Sequence, residues 1–300
     1  MIVNMKRTLS HYTSVVGLIL GISIFPTLGT ATTLTTWNIE WLTLTPSSKF
    51  KSSYRDSDDF AALRSHFTAI SPAVLAFQEV DSTDAIEEVV GSNYTIYLSD
   101  RSLPVNRHHQ FGAINQYTGF AVRNDIKVVN VADFPLTKGN RLRFASAIKL
   151  KVNGEMINLL SLHLKAGCSG KFTNQNSCHT LKKQGKVLNS WLHQIESQNE
   201  AYVLLGDFNH NLAYRDDWLW KAITKNLNTV PRLSSQHTQA DCKVRSRNNP
   251  SKTHQFRSLI DHIVVSPELR TSPAQQDTMP VKDVLNYQMS DHCPLSIELY

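Results

Sequence analysis

The chain has 300 residues, of which 41% are apolar and 19% charged, and its formal net charge is +6. This length and apolar content suffice to bury a sizeable core, in one large domain or two small ones. The mild excess of basic residues permits the binding of a polyanion without requiring it. No stretch after residue 31 is long and apolar enough to span a membrane, which needs about 20 residues, so we expect no stable membrane insertion.

The N-terminal segment has the composition of a secretory signal peptide. Lys6 and Arg7 precede an uncharged apolar run from Val15 to Phe25, and the small residues Gly29 and Ala31 follow it. A membrane anchor is the alternative, but the run is shorter than a bilayer-spanning helix. We therefore predict a signal peptide over residues 1–31, a mature chain over 32–300, and a secreted or periplasmic location. Removal of the two basic residues leaves 29 basic against 25 acidic residues, a net charge of +4.

Short segments rich in β-branched and aromatic residues predict the strands. In chain order they are Leu34 to Leu42, Ala73 to Phe77, Tyr94 to Leu98, Gly119 to Arg123, Lys127 to Val131, Phe144 to Leu150, Met156 to Leu164, Tyr202 to Leu205, Ile260 to Val265 and Leu295 to Leu299. Asn153-Gly154 lies between two of these strands and is typical of a tight β-hairpin.

Helices are predicted between several of the strands. Asp56 to Ile70 repeats apolar residues at three- and four-residue spacing, and a Ser-Pro pair ends it. A short helix from about Thr83 ends at Gly91, and a third covers roughly Thr180 to Ser197. Strands outnumber helices and hairpins are evident, so a mixed sheet pair between helices fits better than one parallel sheet. No repeat or linker interrupts the pattern, which indicates one domain over residues 32–300.

Polar residues recur at the ends of the predicted strands. The candidate positions are Asn38, Glu40, Glu79, His163, Asp207, Asn209, Asp261, His262, Asp291 and His292. Each of them alone also fits a bland role, such as a turn residue, a surface acid or a hydrogen-bonded core histidine. Strand ends at one edge of a sheet converge in space, so the recurrence of these residues favours a shared catalytic cleft.

These residue types suit the hydrolysis of phosphate esters. The reaction has to neutralise the phosphoryl oxygens, activate water and help the leaving oxygen depart. Carboxylates and an amide hold a hard cation such as Mg²⁺ and leave ligand positions for water and phosphate. No Cys/His cluster has the spacing of a zinc site. We therefore predict Mg²⁺ as the cofactor, with Mn²⁺ or Ca²⁺ as alternatives.

The sequence resembles the endonuclease/exonuclease/phosphatase superfamily, which includes the pancreatic-type deoxyribonucleases, in an ordered set of motifs. They are Trp-Asn-Ile-Glu, Gln-Glu-Val, Ser-Leu-His, Gly-Asp-Phe-Asn, Ile-Asp-His-Ile-Val and Ser-Asp-His-Cys-Pro. The likeness runs from about Leu34 to Tyr300 and is more specific for the superfamily than for any substrate. It implies an α+β, deoxyribonuclease I-like fold: a four-layer α/β/β/α sandwich with the active site at one edge of the sheets.

The resemblance implies metal-binding and water-activating roles for residues that match the motifs. Asn38 and Glu79 would bind the catalytic metal, with help from Asp291. Asp207 would position or deprotonate the attacking water, and Asn209 would contact the phosphate or the metal.

The resemblance also implies roles for residues that would stabilise charge on the phosphate and at the leaving group. His292 would stabilise the developing charge on phosphorus, oriented by Asp261. His163 matches a second histidine that acts near the leaving group in the deoxyribonuclease branch. Arg143 aligns with a phosphate-contacting arginine of that branch, although a surface arginine is the alternative there.

Two positions depart from the family pattern. Glu40 stands where the deoxyribonuclease branch has an arginine that contacts DNA, and an acid there repels phosphate unless it binds metal. The mode of DNA contact therefore cannot be transferred. His262 occupies a position that varies among relatives, and we expect it to be structural.

Two basic segments flank the catalytic strands and favour a nucleic acid substrate, DNA over RNA. They contain Lys165, Lys171, Lys182, Lys183 and Lys186, and Lys243, Arg245, Arg247, Lys252, His254 and Arg257. Solvated loops on a basic protein are the alternative. A sphingomyelinase-like enzyme is the alternative and would need an exposed aromatic or apolar hairpin, and we expect none in the loops near 100–118 and 168–178. A phosphoinositide-directed enzyme is another alternative, which export disfavours. A toxin subunit with this fold is a further alternative, and we expect a monomer.

Four cysteines in an exported chain indicate disulfides. Cys168 and Cys178 bracket a short polar loop and are predicted to pair. Cys242 and Cys293 are then left either to pair or to stay free.

Overall fold

The computed structural model describes residues 31–139, 141–152 and 154–300. The predicted signal peptide therefore lies outside the described residues, except for its last position. None of the helices described in this range is long and apolar enough to cross a membrane.

The strands follow one another along the whole described chain. They are β1 (Thr32–Leu42), β2 (Val74–Val80), β3 (Tyr94–Leu98), β4 (Tyr117–Arg123), β5 (Val128–Asn130), β6 (Phe134–Pro135), β7 (Phe144–Val152), β8 (Glu155–His163), β9 (Ala201–Asp207), β10 (Arg232–Leu233), β11 (Lys243–Arg245), β12 (Thr253–Gln255), β13 (Asp261–Val265), β14 (Gln275–Gln276) and β15 (Leu295–Leu299). In the described residues they form two large mixed sheets, ordered β14-β15-β1-β2-β4-β3 and β10-β13-β9-β8-β7-β5, with β6 on β7. β11 and β12 form a separate hairpin.

Helices cover the outer faces of these sheets. They are α1 (Ser57–Ile70), α2 (Thr83–Val90), α3 (Asn176–Ser197), α4 (Trp218–Ile223) and α5 (Val281–Asn286). α1 begins with a capping box, in which Asp56 accepts from the backbone of Asp59 and Asp59 accepts from the backbone of Asp56. This reciprocal pair satisfies amide groups that a helix start leaves without partners.

The packing has four layers. Residues such as Leu34 and Val74 of the first sheet and Leu159 and Val203 of the second face each other in a core between the sheets. α1 and α2 pack against the other face of the first sheet. α3 and α4 pack against the other face of the second sheet. The predicted α/β/β/α sandwich is therefore confirmed.

The predicted strands are all present, and the differences concern element ends and short elements. The β7–β8 hairpin is confirmed, with Val152 opposite Glu155 and Gly154 at a φ of +91° that glycine adopts readily. α3 begins at Asn176, earlier than predicted, because its first turn is polar and gives no apolar periodicity. α4 and α5 were not predicted because six residues are too few to establish a helical period.

The cysteines form both available bridges. Cys168 pairs with Cys178, as predicted, and Cys242 pairs with Cys293 across a sequence separation of 51. The second bridge ties the β11–β12 hairpin to the turn that contains the Ser-Asp-His motif, and it settles the alternative that the sequence left open.

Candidate active site

The candidate site lies where the inward-facing positions of the sheets change from apolar to polar. Along β1 the residues that face the other sheet are Leu34, Thr36 and Asn38, and along β9 they include Leu205 and Asp207. Strand register then aligns the polar ends, because Asp207 is opposite His163 of β8 and Asp261 of β13. Side-chain alternation along each strand therefore carries several polar groups to one edge of the sandwich.

Asp207 lies at the centre of this group and is almost fully buried. Its Oδ2 accepts from Asn38 Nδ2 at 3.1 Å and from Asn209 Nδ2 at 3.0 Å, and its Oδ1 accepts from the Asn209 backbone at 2.7 Å. Burial and the nearby Asp261 carboxylate raise the pKa of Asp207 to about 7, against the opposing effect of His292. A carboxyl group tuned to neutral pH can take up a proton during the reaction.

The glycine before Asp207 permits the close approach of two strands. Gly206 has a φ of +151°, and a β-carbon there would lie 2.1 Å from the carbonyl oxygen of Leu162 in β8. Only glycine fits this backbone without a shift of one strand. The Gly-Asp pair therefore fixes how closely Asp207 lies to His163.

His292 is held by Asp261, whose Oδ2 is 2.8 Å from His292 Nδ1. The other ring nitrogen, Nε2, lies 3.9 Å from Asp207 Oδ2 and faces the same space. Burial alone would lower the pKa of His292, but the carboxylates of Asp261, Asp207 and Asp291 raise it well above its usual value. The ring therefore carries a positive charge at neutral pH, with Nε2 directed toward Asp207.

Glu79 and His163 complete the buried part of the site. Glu79 has a φ of +61°, its Oε2 accepts from the backbone of Trp41 at 3.1 Å, and its Oε1 lies 3.6 Å from His163 Nε2. The same nitrogen lies 3.5 Å from Asp207 Oδ2. Burial, and then Arg143, lower the pKa of His163 well below its usual value, so the ring is neutral. His163 can therefore donate a hydrogen bond from Nε2 only in the neutral tautomer that carries its hydrogen on that atom.

Arg143 also reaches the cleft, as predicted. Its Nη2 donates to the carbonyl of Leu164 at 3.2 Å, and its buried Nε has no hydrogen-bond partner among the described residues. His262, in contrast, accepts from the backbone of Leu212 through Nε2 and contacts Ser235 through Nδ1. The expectation that His262 is structural is therefore confirmed.

Asp291 and Glu40 lie side by side at the mouth of the site. The backbone of Asp291 donates to Glu40 Oε2 at 3.1 Å, and Asp291 Oδ2 lies 2.8 Å from Arg247 Nη2. Burial and the nearby Asp291 raise the pKa of Glu40 to about 7. Glu40 therefore helps to hold the turn that contains the Ser-Asp-His motif.

Sequence reasoning missed the groups that hold this turn. Arg55 donates to the carbonyls of Glu40 and Met289 at 2.9 and 3.1 Å, and so joins the end of β1 to the turn. Ser290 Oγ donates to the carbonyl of Asn38 at 2.6 Å. Arg55 lies in a loop without a motif, so no local pattern could have identified it.

The side chains around the site fit a hard divalent cation. Glu79, Asp207 and Asp291 face one cleft of about 710 Å³, and among the described residues only Arg247 forms an arginine or lysine ion pair with any of them. Carboxylate oxygens with excess negative charge are the donors that Mg²⁺ prefers. Asp207, Asp261 and His292 also place ligand atoms within 4.8 Å of one another, but the Asp261 hydrogen bond and the positive charge leave His292 unsuited to bind metal.

The amide nitrogen of Asn38, rather than its oxygen, faces the carboxylates of the site. Its Nδ2 faces both carboxylates, at 3.3 Å from Glu79 Oε1 and 3.1 Å from Asp207 Oδ2, while its Oδ1 accepts from the backbone of Glu40. As placed, Asn38 positions the two carboxylates, and its oxygen would face a cation only after rotation of the amide.

A four-layer sandwich with carboxylates, an Asp-His pair and an arginine at one sheet edge defines a hydrolase of phosphate esters. The chain belongs to the Endonuclease/Exonuclease/phosphatase family, whose model matches residues 35–292. Enzymes of this family act on phosphoester bonds and generally depend on a divalent metal. No curated protein sequence matches the chain.

Solved structures share the fold at low sequence identity. TDP2 from C. elegans is 16% identical with a TM-score of 0.63, over 90% of this chain and 75% of that one. A mannosyl-6-phosphatase from Bacteroides thetaiotaomicron is 15% identical with a TM-score of 0.62, over 90% and 99%. An endonuclease/exonuclease/phosphatase from Bacteroides vulgatus is 15% identical with a TM-score of 0.63, over 90% and 99%. At these identities the likeness establishes the fold alone.

Proposed function

We propose that this chain is an exported, divalent-metal-dependent nuclease that hydrolyses phosphodiester bonds of DNA, and secondarily of RNA. The observation that supports it best is the buried Asp207 between Asn38, Asn209 and the Asp261–His292 pair, in a cleft with cationic side chains on its walls.

Asp207 orients the attacking water and accepts its proton. Hydrogen bonds from Asn38 and Asn209 fix both carboxylate oxygens, so the group needs no reorganisation during the reaction. The raised pKa of Asp207 suits proton uptake near neutral pH.

The positive groups stabilise charge on the phosphate. His292 directs Nε2 into the cleft while Asp261 keeps the ring oriented and protonated. Arg143 supplies a second cation to the phosphoryl oxygens, and the neutral His163 donates a hydrogen bond toward the leaving oxygen. A divalent ion held by Glu79 and Asp291 would add Lewis-acid neutralisation of the phosphoryl oxygens when bound.

Nucleic acid is supported by the walls of the cleft. Arg247 and Arg257 line the cleft, as do Gly167 and Ser169, which lie within the first basic segment. Lys171, Lys182 and other lysines of that segment are exposed. Arginines that line the cleft, and exposed lysines near it, can contact a phosphate backbone, and such contacts supply most of the affinity of non-specific binding.

Export follows from the predicted signal peptide over residues 1–31, with residues 32–300 as the mature domain. The Cys168–Cys178 and Cys242–Cys293 bridges fit a secreted or periplasmic protein, because disulfides persist in oxidising compartments. We propose that it acts there as a monomer.

One observation favours a second candidate, a phospholipid phosphodiesterase. The loop near 100–118 was expected to offer no exposed apolar hairpin; it folds into short 3-10 helices rather than a hairpin, but it exposes three large apolar side chains. Leu103 is 45% exposed, Val105 76% and Phe111 39%. Such residues can enter the surface of a bilayer.

The test compares substrates under identical conditions. The predicted mature chain, purified in oxidised form, is assayed on supercoiled plasmid, RNA and sphingomyelin vesicles, with Mg²⁺ and with EDTA. We expect Mg²⁺-dependent nicking of the plasmid that is lost in an Asp207→Ala/His292→Ala variant. An Asp216→Ala variant, which changes an exposed aspartate, serves as the matched control. Turnover of the lipid with intact plasmid would overturn the nuclease proposal and support the phospholipid one.

A further inference from the structure

We propose that Phe256 and Arg257 form a nucleotide subsite on one wall of the catalytic cleft, in which the Phe256 ring stacks on a nucleobase and Arg257 pairs with a phosphate. This inference rests on the proposed nuclease function and names how the substrate is held beside the reacting phosphate.

The two residues begin the segment that leads into the catalytic strand β13. β12 ends at Gln255 and β13 begins at Asp261, the residue that binds His292. Phe256 and Arg257 line the same cleft as Asp207 and His292. A ligand on this wall would therefore extend directly from the reacting centre.

Residues on both sides of the segment are anchored to other parts of the chain. Gln255 Nε2 donates to the carbonyl of Ala240 at 2.9 Å, and the hydroxyls of Ser258 and Tyr214 lie 2.9 Å apart. Leu259 is buried in the core, and the Cys242–Cys293 bridge holds the preceding hairpin. An anchored segment loses less conformational entropy on binding a ligand than a free loop would.

The side chains themselves remain accessible. Phe256 is 46% exposed and contacts His254 edge to face, with ring centroids 4.8 Å apart. Arg257 is exposed and forms no ion pair within the part of the chain that the structure describes. The guanidinium of the nearby Arg245, in contrast, is engaged: it donates to the carbonyls of Val284 and Tyr287 and so anchors the hairpin.

An exposed ring beside an exposed guanidinium matches the chemistry of a nucleotide. An aromatic side chain stacks on any nucleobase, which gives affinity without sequence preference, and an arginine forms charge-assisted hydrogen bonds with a phosphate. Stacking of a base on this exposed phenylalanine also removes apolar surface from water, which favours binding. The wall thus supplies base and backbone contacts that the buried catalytic residues do not provide.

The test uses the oxidised full-length protein with Mg²⁺ and a single-stranded oligonucleotide that has one cleavable phosphodiester, the others being replaced by resistant linkages. A second oligonucleotide carries abasic residues on both sides of that bond. For Phe256→Ala we expect a roughly tenfold rise in KM on the base-containing oligonucleotide and less than a twofold rise on the abasic one. Phe256→Trp restores the KM. Phe111→Ala, which changes an exposed phenylalanine outside the cleft and outside both basic segments, is the matched control.

Arg257 has its own readout. Arg257→Ala lowers the slope of log affinity against log salt concentration by about one ion, and Arg257→Lys restores it. An unchanged KM in Phe256→Ala, or equal losses on both oligonucleotides, would overturn the stacking subsite while leaving the nuclease proposal intact. If the wild-type protein cleaves neither oligonucleotide nor plasmid, the nuclease proposal fails and the subsite fails with it.

Discussion

The Cys242–Cys293 bridge should contribute more to stability than the Cys168–Cys178 bridge. The double variant Cys242→Ser/Cys293→Ser removes a bridge with a sequence separation of 51, whereas Cys168→Ser/Cys178→Ser removes one with a separation of 10. A bridge restricts the unfolded chain, and the restriction grows with the logarithm of the closed loop.

The magnitude follows from the two separations. The chain-entropy relation gives about 4 kcal/mol for the longer loop and about 3 kcal/mol for the shorter one. The difference, about 1.4 kcal/mol, is the sharper quantity, because both variants make the same chemical replacement. Urea unfolding of the two variants and the oxidised wild type measures the free energy of unfolding.

Loss of the Cys242–Cys293 bridge should change kcat much less than it changes the free energy of unfolding. The turn before Cys293 is also held by Trp37 Nε1, which donates to the carbonyl of His292 at 3.0 Å, and by Ser290 Oγ, which donates to the carbonyl of Asn38 at 2.6 Å. We expect kcat well below the unfolding temperature to stay within about fivefold of wild type, or about 1 kcal/mol. A larger stability loss from the shorter loop would refute the entropic reasoning. A loss of kcat much larger than fivefold would show that these hydrogen bonds do not hold the turn in place without the bridge.

Other predictions concern the backbone, the Asp-His pair and the metal. Gly206→Ala should cost about 3 kcal/mol or more in urea unfolding, because its β-carbon would lie 2.1 Å from a carbonyl oxygen of β8. Gly112→Ala, with no atom within 4 Å of the added carbon, should change it by at most about 0.5 kcal/mol. Asp261→Asn should lower kcat by about a hundredfold or more, and shift the alkaline limb of the pH profile to lower pH, because it removes the carboxylate that raises the pKa of His292. Glu79→Gln should raise the Mg²⁺ concentration for half-maximal activity by about tenfold or more.

The controls separate these effects from general damage. Glu87→Gln changes an exposed glutamate of α2 and should leave the Mg²⁺ requirement as in wild type. A Glu79→Gln variant with lower kcat but an unchanged Mg²⁺ requirement would contradict its role as a ligand. An unchanged alkaline limb in Asp261→Asn would show that another group controls it.

The long strands and the site residues could be predicted because both are encoded locally. Strand segments such as Leu34 to Leu42 are rich in β-branched and aromatic residues. Asn38 lies within such a segment, and Glu79 and Asp207 follow one, so their positions along the chain already indicated the sheet edge. The β11–β12 hairpin, in contrast, is polar and short, and Arg245 and the Cys242–Cys293 bridge hold it through contacts distant in sequence. No local pattern reports such contacts.

The roles of individual side chains were harder to predict than their positions. The metal-binding role of Asn38 stays a prediction: its amide nitrogen faces Glu79 and Asp207 while its oxygen accepts from the backbone of Glu40. Which end of an amide faces a site depends on neighbouring donors and acceptors, and these come from other strands. The exposure of Leu103 and Val105 was missed for a related reason, because burial depends on what packs against a loop.

Glu40 gives the clearest case of a sequence-level conflict that the structure resolves. An acid in place of a DNA-contacting arginine would repel a phosphate if it lay on the substrate path. It is instead only 8% exposed, its carboxylate accepts from the backbone of Asp291, and its own carbonyl accepts from Arg55. Burial raises its pKa to about 7, which lessens its negative charge near neutral pH. The attraction for a polyanion must then come from the cleft walls, where Arg257 is exposed and free of ion pairs among the described residues. A change of sign at one position of the family pattern is thus compatible with phosphate binding, because the acid supports the catalytic turn and a different loop supplies the cation.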